Sequence, residues 1–321
     1  MRIGSNPEKE KARKLSYKRH RVIIPVYIPD DNHEYFENAV EVFQKCMHSL
    51  LQTIDSDKTA ITVINNSSKK EITDIIQKLL YQKQIDKQVH YSENKGKVYA
   101  VLQEARSCYE EFVTICDADV FFYPNWQNEV INIFKTFKDI GVVGITPDAN
   151  LAFYCNNSLF TNRFLSVKQG KVVEDKDFEL FEEGINKPGF FISKNKNWKQ
   201  KQYYLEKDNV QAVIGAAHFA STYRSELFRK LPFQKPIFVF PGGEKSFIDE
   251  PIDVLGYGRV SLTKAYAYHL GNSIPQWLMS EQNCISVLKD FEMQEKSVVT
   301  ILPYSVKTFF VRIIKRFLYK I

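Results

Sequence analysis

The chain lacks three features that would each define its class: paired cysteines, a long apolar run and an apolar leader. Its five cysteines are scattered without a Cys-x-x-Cys pair. This argues against a zinc ribbon or a disulfide framework and fits a reducing compartment. No run of about eighteen apolar residues occurs, so no membrane-spanning helix is expected. The first residues are polar and basic, unlike a signal peptide.

Acidic residues are scarce at both ends of the chain. Residues 1–21 and 296–321 each carry a net charge of +6, and because the whole chain also carries +6, residues 22–295 carry −6. A basic body that would bind nucleic acid is therefore not supported, and no zinc-finger or RNA-binding signature occurs. The basic ends leave two interpretations open, which are contact with anionic lipid and solvated tails.

The chain does contain a regular alternation of strand and helix signals. Apolar, β-branched runs predict strands at residues 21–27, 59–64, 89–91 and 112–116. Helical spacing of apolar residues predicts helices at residues 34–54, 69–82 and 98–108. This alternation is typical of a parallel sheet with right-handed crossovers. Since 44% of the residues are apolar and 14% aromatic, the chain can form the core of such an α/β fold.

The second half of the chain is less regular. A helix is predicted around residues 126–137 and a strand at 142–145. Residues 150–210 are rich in Asn, Lys and aromatics, and we interpret them as an inserted segment whose aromatic side chains need burial. Strand patterns return at residues 211–223 and 262–270.

Two carboxylates, Asp117 and Asp119, directly follow the predicted strand at residues 112–116. In open α/β sheets, ligands bind at the carboxyl ends of the strands. Carboxylate oxygens suit a hard cation such as Mg²⁺ or Mn²⁺, which also takes phosphate oxygens. This position predicts a metal–phosphate role for the pair, whereas a solvated turn is the structural alternative.

Several motifs occur in a particular order along the chain. They are Ile24-Pro25-Val26-Tyr27, Ile64-Asn65-Asn66-Ser67, Glu93-Asn94-Lys95-Gly96-Lys97, Asp117-Ala118-Asp119, Gly242-Gly243-Glu244 twelve residues before Gly256-Tyr257, and His269. This order resembles the family 2 glycosyltransferases over about residues 20–272. The resemblance implies a GT-A fold, a Rossmann-like α/β/α sandwich. It also implies a nucleotide-sugar-binding half at residues 21–149 and an acceptor half at 150–295.

The resemblance also implies roles for individual residues. Asp119 and His269 would hold a divalent metal, Mn²⁺ or Mg²⁺, on the diphosphate of the donor. The donor itself would contact Pro25, Tyr27, Asn65, Asn94, Lys97 and Asp117. Asn65 departs from the family pattern, which usually has an aspartate there. An asparagine can hydrogen-bond a uracil or a guanine edge but carries no charge.

The resemblance places the acceptor base in the loop that contains Glu244. Glu244 matches the first acid of the family's Glu-Asp pair, but Lys245 replaces the second. Asp249 and Glu250 lie nearby. Glu244, Asp249 and Glu250 therefore all remain candidates for the residue that takes the proton from the acceptor hydroxyl.

Residues 296–321 are predicted to form a basic amphipathic helix without any acid. Ser305, Thr308 and the basic residues Arg312, Lys315, Arg316 and Lys320 fall on one face, and apolar residues fill most of the rest. Such a helix lies readily in a membrane interface. The alternative is a helix that packs on the catalytic domain or on a dimer partner.

The resemblance implies a metal-dependent, inverting glycosyltransferase of bacterial polysaccharide synthesis. The composition of residues 1–20 predicts a flexible basic arm before it. The enzyme would use a nucleotide-sugar and a saccharide or lipid-linked acceptor at the cytoplasmic face of the cell membrane. A nucleotidyltransferase would need a Gly-rich, basic loop after the first strand, which residues 28–32 do not supply. An inactive sugar-nucleotide-binding or scaffold protein is the other alternative, and Lys245 favours it. Donor sugar, acceptor, linkage and oligomeric state are left open by the sequence.

Overall fold

The computed structural model describes residues 4–11, 14–193, 196–236, 243–279, 286–290 and 302–317. The strands are β1 (His20–Val26), β2 (Thr59–Asn66), β3 (Lys87–Tyr91), β4 (Phe112–Cys116), β5 (Val120–Phe122), β6 (Ile140–Gly144), β7 (Lys168–Gly170), β8 (Ile192–Ser193), β9 (Lys196–Asn197), β10 (Gln202–Lys207), β11 (Val210–Ile214), β12 (Ala220–Arg224), β13 (Gly258–Ser261) and β14 (Ala267–His269). The helices are α1 (Ala39–Thr53), α2 (Lys70–Tyr81), α3 (Lys97–Ala105), α4 (Trp126–Thr136), α5 (Asn157–Asn162), α6 (Asp175–Gly184), α7 (Glu226–Lys230), α8 (Glu250–Val254) and α9 (Tyr304–Phe317). A π-helical turn, Lys245–Asp249, leads directly into α8.

In the described part of the chain, ten strands form one sheet in the order β3-β2-β1-β4-β12-β6-β13-β11-β10-β7. The first four run parallel, with β1 between β2 and β4 and with β3 next to β2. Every residue of β2 is buried, which explains why its apolar run is continuous rather than alternating. The predicted α/β class is confirmed, and the loops that follow β1, β2 and β4 meet at one edge of the sheet.

Two cores lie on opposite faces of this sheet. Along β1, Val22 and Ile24 enter one core, while Ile23 between them enters the other. This alternation follows from the period of two residues in a strand. The first core contains Trp126 of α4, and the second contains Val98 of α3. Helices therefore cover both faces, as in an α/β sandwich.

The second half of the sheet is mixed rather than parallel. Strand β12 lies between β4 and β6 and runs antiparallel to both. The single strand pattern predicted at residues 211–223 is two strands, β11 and β12, which are not neighbours in the sheet. The pattern predicted at residues 262–270 contains only β14, which belongs to a separate two-stranded sheet. Three apolar residues of the connection between β11 and β12 are buried, so its apolar pattern resembles that of a strand; they are Ala216, Ala217 and Phe219.

The connection between β11 and β12 passes closely over β6 and β13. Gly215 has φ +123°, and a Cβ atom there would lie 2.1 Å from the backbone oxygen of Asp148. A Cβ atom at Gly144 would lie 3.3 Å from Cα of Ala216. Glycine at both positions permits this close passage, which delivers His218 and Phe219 to the carboxyl end of β4.

A short antiparallel pair brings a histidine to the same edge of the sheet. Strand β14 pairs with β5, and His269 lies opposite Val120. The backbone N–H of Leu270 donates to the backbone oxygen of Asp119 at 2.7 Å. The end of β14 is therefore fixed beside the acid pair that follows β4.

The predicted terminal segments are described in part. The C-terminal helix is present as α9, while residues 296–301 and 318–321 of the predicted segment lie outside the described residues. Lys18 and Arg19, which we assigned to the N-terminal arm, form ion pairs with Asp86 and Glu111. Within the described ranges, no helix combines the length and apolar character needed to cross a bilayer.

Candidate active site

Asp117 and Asp119 lie in the turn that connects β4 to β5. The backbone N–H of Asp117 donates to the backbone oxygen of Phe219 at 2.7 Å. The backbone of Asp119 is held by Leu270, so the turn is fixed on both sides. Both side chains are partly exposed at the carboxyl edge of the sheet, where the sequence predicted them.

His269 joins the two aspartates. Its Nε2 lies 3.5 Å from Oδ2 of Asp119, and ligand atoms of Asp117, Asp119 and His269 all lie within 4.8 Å of one another. Nδ1 of His269 lies 3.1 Å from the backbone oxygen of Gly184, which can only accept a hydrogen bond. The proton therefore belongs on Nδ1, and the lone pair of Nε2 is directed toward the aspartates.

The donor set of these three residues fits a divalent cation. Oδ1 of Asp119 is buried, and no described residue forms a hydrogen bond with it, which costs free energy unless a ligand does so. Burial raises the pKa of Asp119 to about 6, although His269 acts to lower it. Two carboxylates and a neutral imidazole are ligands that Mn²⁺ or Mg²⁺ accepts. The predicted metal ligands Asp119 and His269 are thus brought together, with Asp117 beside them.

Gly184 offers a test of this arrangement that leaves the ligands unchanged. In Gly184→Ala, the new Cβ would lie 2.5 Å from the backbone oxygen of His269, so the end of β14 must shift. We expect Mn²⁺ affinity to fall about 10- to 100-fold, the usual effect of disturbing a partner of a ligand. Titration calorimetry with Mn²⁺ measures this. Gly170→Ala is the matched control, since its Cβ would make only an ordinary 3.7 Å contact; equal affinities in both variants would contradict the assignment.

Lys97 links the acid pair to the helix that contains Glu244. Its Nζ lies 2.5 Å from Oδ1 of Asp117 and 3.8 Å from Oε1 of Glu244. Burial alone would lower the pKa of Lys97, but the carboxylates of Asp117 and Glu244 raise it above its usual value. Lys97 is therefore a fixed cation at the first turn of α3.

A cavity of about 530 Å³ opens over these groups. Its wall includes seven of the predicted site residues, namely Pro25, Tyr27, Asn94, Lys97, Asp117, Asp119 and Glu244. Tyr35 and Phe36 also line it, although the sequence pattern placed them in the first helix. In the structure they belong to a short 3-10 turn, Glu34–Phe36, and α1 begins only at Ala39.

Asn65 does not lie on the cavity, contrary to its predicted contact with the donor. Its side chain is fully buried, where it donates to Thr73 at 2.8 Å and accepts from the backbone of Ser68 at 2.8 Å. The cavity residue is the next one, Asn66, whose Nδ2 donates to Oδ1 of Asn94 at 2.9 Å. Both asparagines end β2, and neighbouring residues of a strand face opposite ways. Nothing in the sequence indicates which of these two adjacent asparagines faces the cavity.

Asp249 does not line the cavity, and its predicted role as a base in contact with the acceptor is not supported. The side chain is 0% exposed, and its Oδ2 accepts from Tyr154 at 3.0 Å and lies 2.5 Å from Nε2 of His218. Its Oδ1 forms an ion pair with Arg259, which is also fully buried. Burial would raise the pKa of Asp249, but Arg259 and His218 hold it below its usual value. Asp249 therefore fixes the imidazole of His218, a partly exposed residue that sequence reasoning missed.

Comparison with known proteins gives the following matches. Residues 22–175 match the family model described as glycosyl transferase family 2. A search of curated proteins finds no match. Among solved structures, the chain is similar to the mannosyltransferase PcManGT from Pyrobaculum calidifontis in complex with GDP-Man and Mn²⁺ (12% identity, TM-score 0.44) and to S. aureus TarS 1–349 in complex with UDP-GlcNAc (14% identity, TM-score 0.44). The alignments cover 84% and 82% of this chain but only 57% and 61% of those two proteins.

Proposed function

Residues 22–175 belong to glycosyl transferase family 2, and we propose that this glycosyltransferase moves a sugar from a nucleotide-sugar to a saccharide or lipid-linked acceptor with inversion at the anomeric carbon. The expected α/β GT-A fold with a C-terminal helix is confirmed. The observation that carries the proposal is the cavity whose wall combines Asp117, Asp119 and Lys97. Two carboxylates and a cation in one concave site match a metal-bound diphosphate.

The nucleoside end of the donor would lie along Pro25 and Tyr27. Tyr27 is 44% exposed at the end of β1, so its ring offers a flat surface to a base. Aromatic rings stack on nucleobases of any identity. Asn66 and Asn94 stand beside it, and the hydrogen bond between them fixes their amides before any ligand arrives.

The diphosphate would lie between the acid pair and the start of α3. The first N–H groups of a helix have no partners within the helix, and the helix dipole favours an anion there. Lys97 adds a charged donor at the same point. Asp119 and His269 would hold Mn²⁺ or Mg²⁺, which would stabilise the negative charge that develops on the leaving diphosphate.

Glu244 is the residue proposed to take the proton from the acceptor hydroxyl. It lies at the start of the helical segment that precedes α8 and lines the same cavity as the acid pair. An inverting transfer is an in-line displacement, so the base must face the leaving group across the sugar. Glu244 stays fixed there through Lys97, whose Nζ lies 3.8 Å away.

We place the enzyme in bacterial polysaccharide assembly, at the cytoplasmic face of the cell membrane. The support is the acid-free helix α9, whose exposed basic residues are Arg312 and Arg316. A lipid-linked acceptor would be presented at such a surface, and a peripheral enzyme would reach it without a spanning helix.

Thermal-shift measurements with UDP-, GDP- and dTDP-sugars, each with and without Mn²⁺, test the proposal. A ligand at 100 times its Kd stabilises the folded state by about 2.7 kcal/mol, so we expect one nucleotide class to raise the melting temperature by a few degrees. The shift should require Mn²⁺ and should disappear in Lys97→Met. No shift with any nucleotide class, at concentrations up to the millimolar range, would reject the donor assignment.

A further inference from the structure

Helix α9 is attached to the catalytic domain through one face. Val311 and Ile314 are buried against it, and α5 is its main neighbour. Nζ of Lys307 is buried as well and donates to Oγ of Ser158 at 3.1 Å. The hydroxyl of Tyr304 donates to Oδ2 of Asp253 at 3.0 Å. On this face, α9 therefore packs on the catalytic domain, as the alternative prediction from the sequence has it. These contacts hold the helix in one orientation.

The opposite face of α9 is apolar and exposed. Phe309 is 63% exposed, and Val306, Phe310 and Ile313 are exposed on the same side. Phe310 packs edge-on against Phe164, with ring centroids 5.6 Å apart. Leu165, next to Phe164, is 95% exposed. We call Phe164, Leu165, Val306, Phe309, Phe310 and Ile313 the outer patch.

Basic side chains border the outer patch on α9. Arg312 and Arg316 are exposed. At 100° per residue they lie beside Phe309 on the helix circumference, while Ile313 and Val306 lie on its other side. The fourteen residues of α9 include no acid. The exposed surface of α9 is thus an apolar sector with a cationic border. Its orientation relative to the catalytic domain is fixed because the other face of the helix is buried.

We infer that the outer patch lies on an anionic bilayer surface, with its apolar side chains among the acyl chains and the two arginines among the headgroups. Anionic lipid complements the cationic border, and acyl chains cover the aromatic and aliphatic side chains. A second copy of this chain fits less well. In a two-fold dimer, the outer patches of the two subunits would face each other. Because α9 contains no acid, the arginines of one subunit would then lie near those of the other and repel them.

The inference develops the membrane location proposed above, but it concerns binding rather than transfer. Lipid binding is therefore measured without donor or acceptor. Donor binding, measured by the thermal shift, involves none of the outer-patch residues. A failure of lipid binding would therefore remove the membrane location but leave the proposed transfer reaction standing, and a failure of donor binding would leave the lipid inference standing.

Vesicle co-sedimentation with the full chain tests the inference. We expect binding to phosphatidylcholine vesicles that contain phosphatidylglycerol and weaker binding to phosphatidylcholine alone. Arg312→Gln with Arg316→Gln should weaken binding to the anionic vesicles by about 25-fold, about fivefold for each charge, and should leave binding to neutral vesicles unchanged. Phe309→Ser with Ile313→Ser should weaken binding to both vesicle types by at least about tenfold.

Matched control variants show whether vesicle binding depends on the outer patch or on exposed apolar and basic residues in general. Phe233→Ser removes a phenylalanine that is 83% exposed elsewhere, and Lys70→Gln with Lys78→Gln removes two exposed cations of α2. Neither control should change vesicle binding. The inference is overturned if the control variants lose as much binding as the patch variants, if the wild-type chain does not bind anionic vesicles, or if sedimentation of the lipid-free protein shows a dimer that the patch variants dissociate.

Discussion

Asp119→Ala is expected to abolish sugar transfer, with a loss of at least about 10³-fold, while the protein stays folded. One oxygen of the carboxylate faces His269, and the other is buried without a hydrogen bond from any described residue, so the group is arranged to bind a cation. Removing it takes away the charge stabilisation that the leaving diphosphate needs, and such stabilisation is commonly the largest contribution to catalysis. The measurement is the rate of nucleotide release from the donor identified by thermal shift, in Mn²⁺.

Two comparisons make this expectation specific. Asp74→Ala removes an exposed aspartate from α2 and should keep full activity. Chelation by EDTA should reproduce the loss in the wild-type protein, and Mn²⁺ should reverse it. In Asp119→Ala, the melting temperature should not fall, because the variant removes a buried oxygen to which none of the residues that the structure describes donates a hydrogen bond. Full activity of the wild-type protein in EDTA would contradict a metal role.

The acid pair could be found from the sequence because two local signals coincide there. Phe112–Cys116 is an apolar strand that is buried at every position, and two aspartates follow it. Parallel strands end at one edge, so the residues after β1, β2 and β4 had to meet. Site roles for His269 and Lys97 follow only from the resemblance to a family. No local sequence pattern indicates that β14 pairs with β5 or that α3 begins beside Asp117.

Other parts of the site depend on packing that no local pattern encodes. In the sequence Asp249 is a nearby alternative to Glu244, yet the π-helical turn Lys245–Asp249 places Asp249 in the core. Its partners Arg259 and His218 come from β13 and from the connection before β12. Arg259 gives no sign in the sequence of being fully buried, since arginine usually is not. Such long-range pairs are visible only once the sheet order is known.

The C-terminal helix illustrates a third case. Its amphipathic pattern predicts one polar and one apolar face, and this is compatible with contact with a membrane and with packing on the domain or on a dimer partner. The structure has two apolar faces on α9, one buried against α5 and one exposed. Deleting the helix would remove both, and loss of packing would then obscure any loss of lipid binding. Single exposed positions are therefore the better test.

Glu244→Gln is expected to lower the rate of transfer by about 10²- to 10⁴-fold, the usual contribution of a general base, while donor affinity stays nearly unchanged. The side chain keeps its size but can no longer take the proton from the acceptor hydroxyl. Lys97 keeps its closer partner Asp117 at 2.5 Å, so the donor side of the cavity is preserved. Turnover with a saccharide acceptor and thermal shift with the donor measure the two effects separately.

Asp249→Asn is the informative comparison, because it should act on the fold instead. The variant leaves Arg259 buried without its charge partner, and breaking a buried ion pair in this way costs about 3–5 kcal/mol. Its melting temperature should therefore drop sharply, whereas that of Glu244→Gln should stay close to wild type. If Glu244→Gln turns over at the wild-type rate, Glu244 is not the base. In that case His218, whose Nε2 lies 2.5 Å from Oδ2 of Asp249, is the next residue to replace.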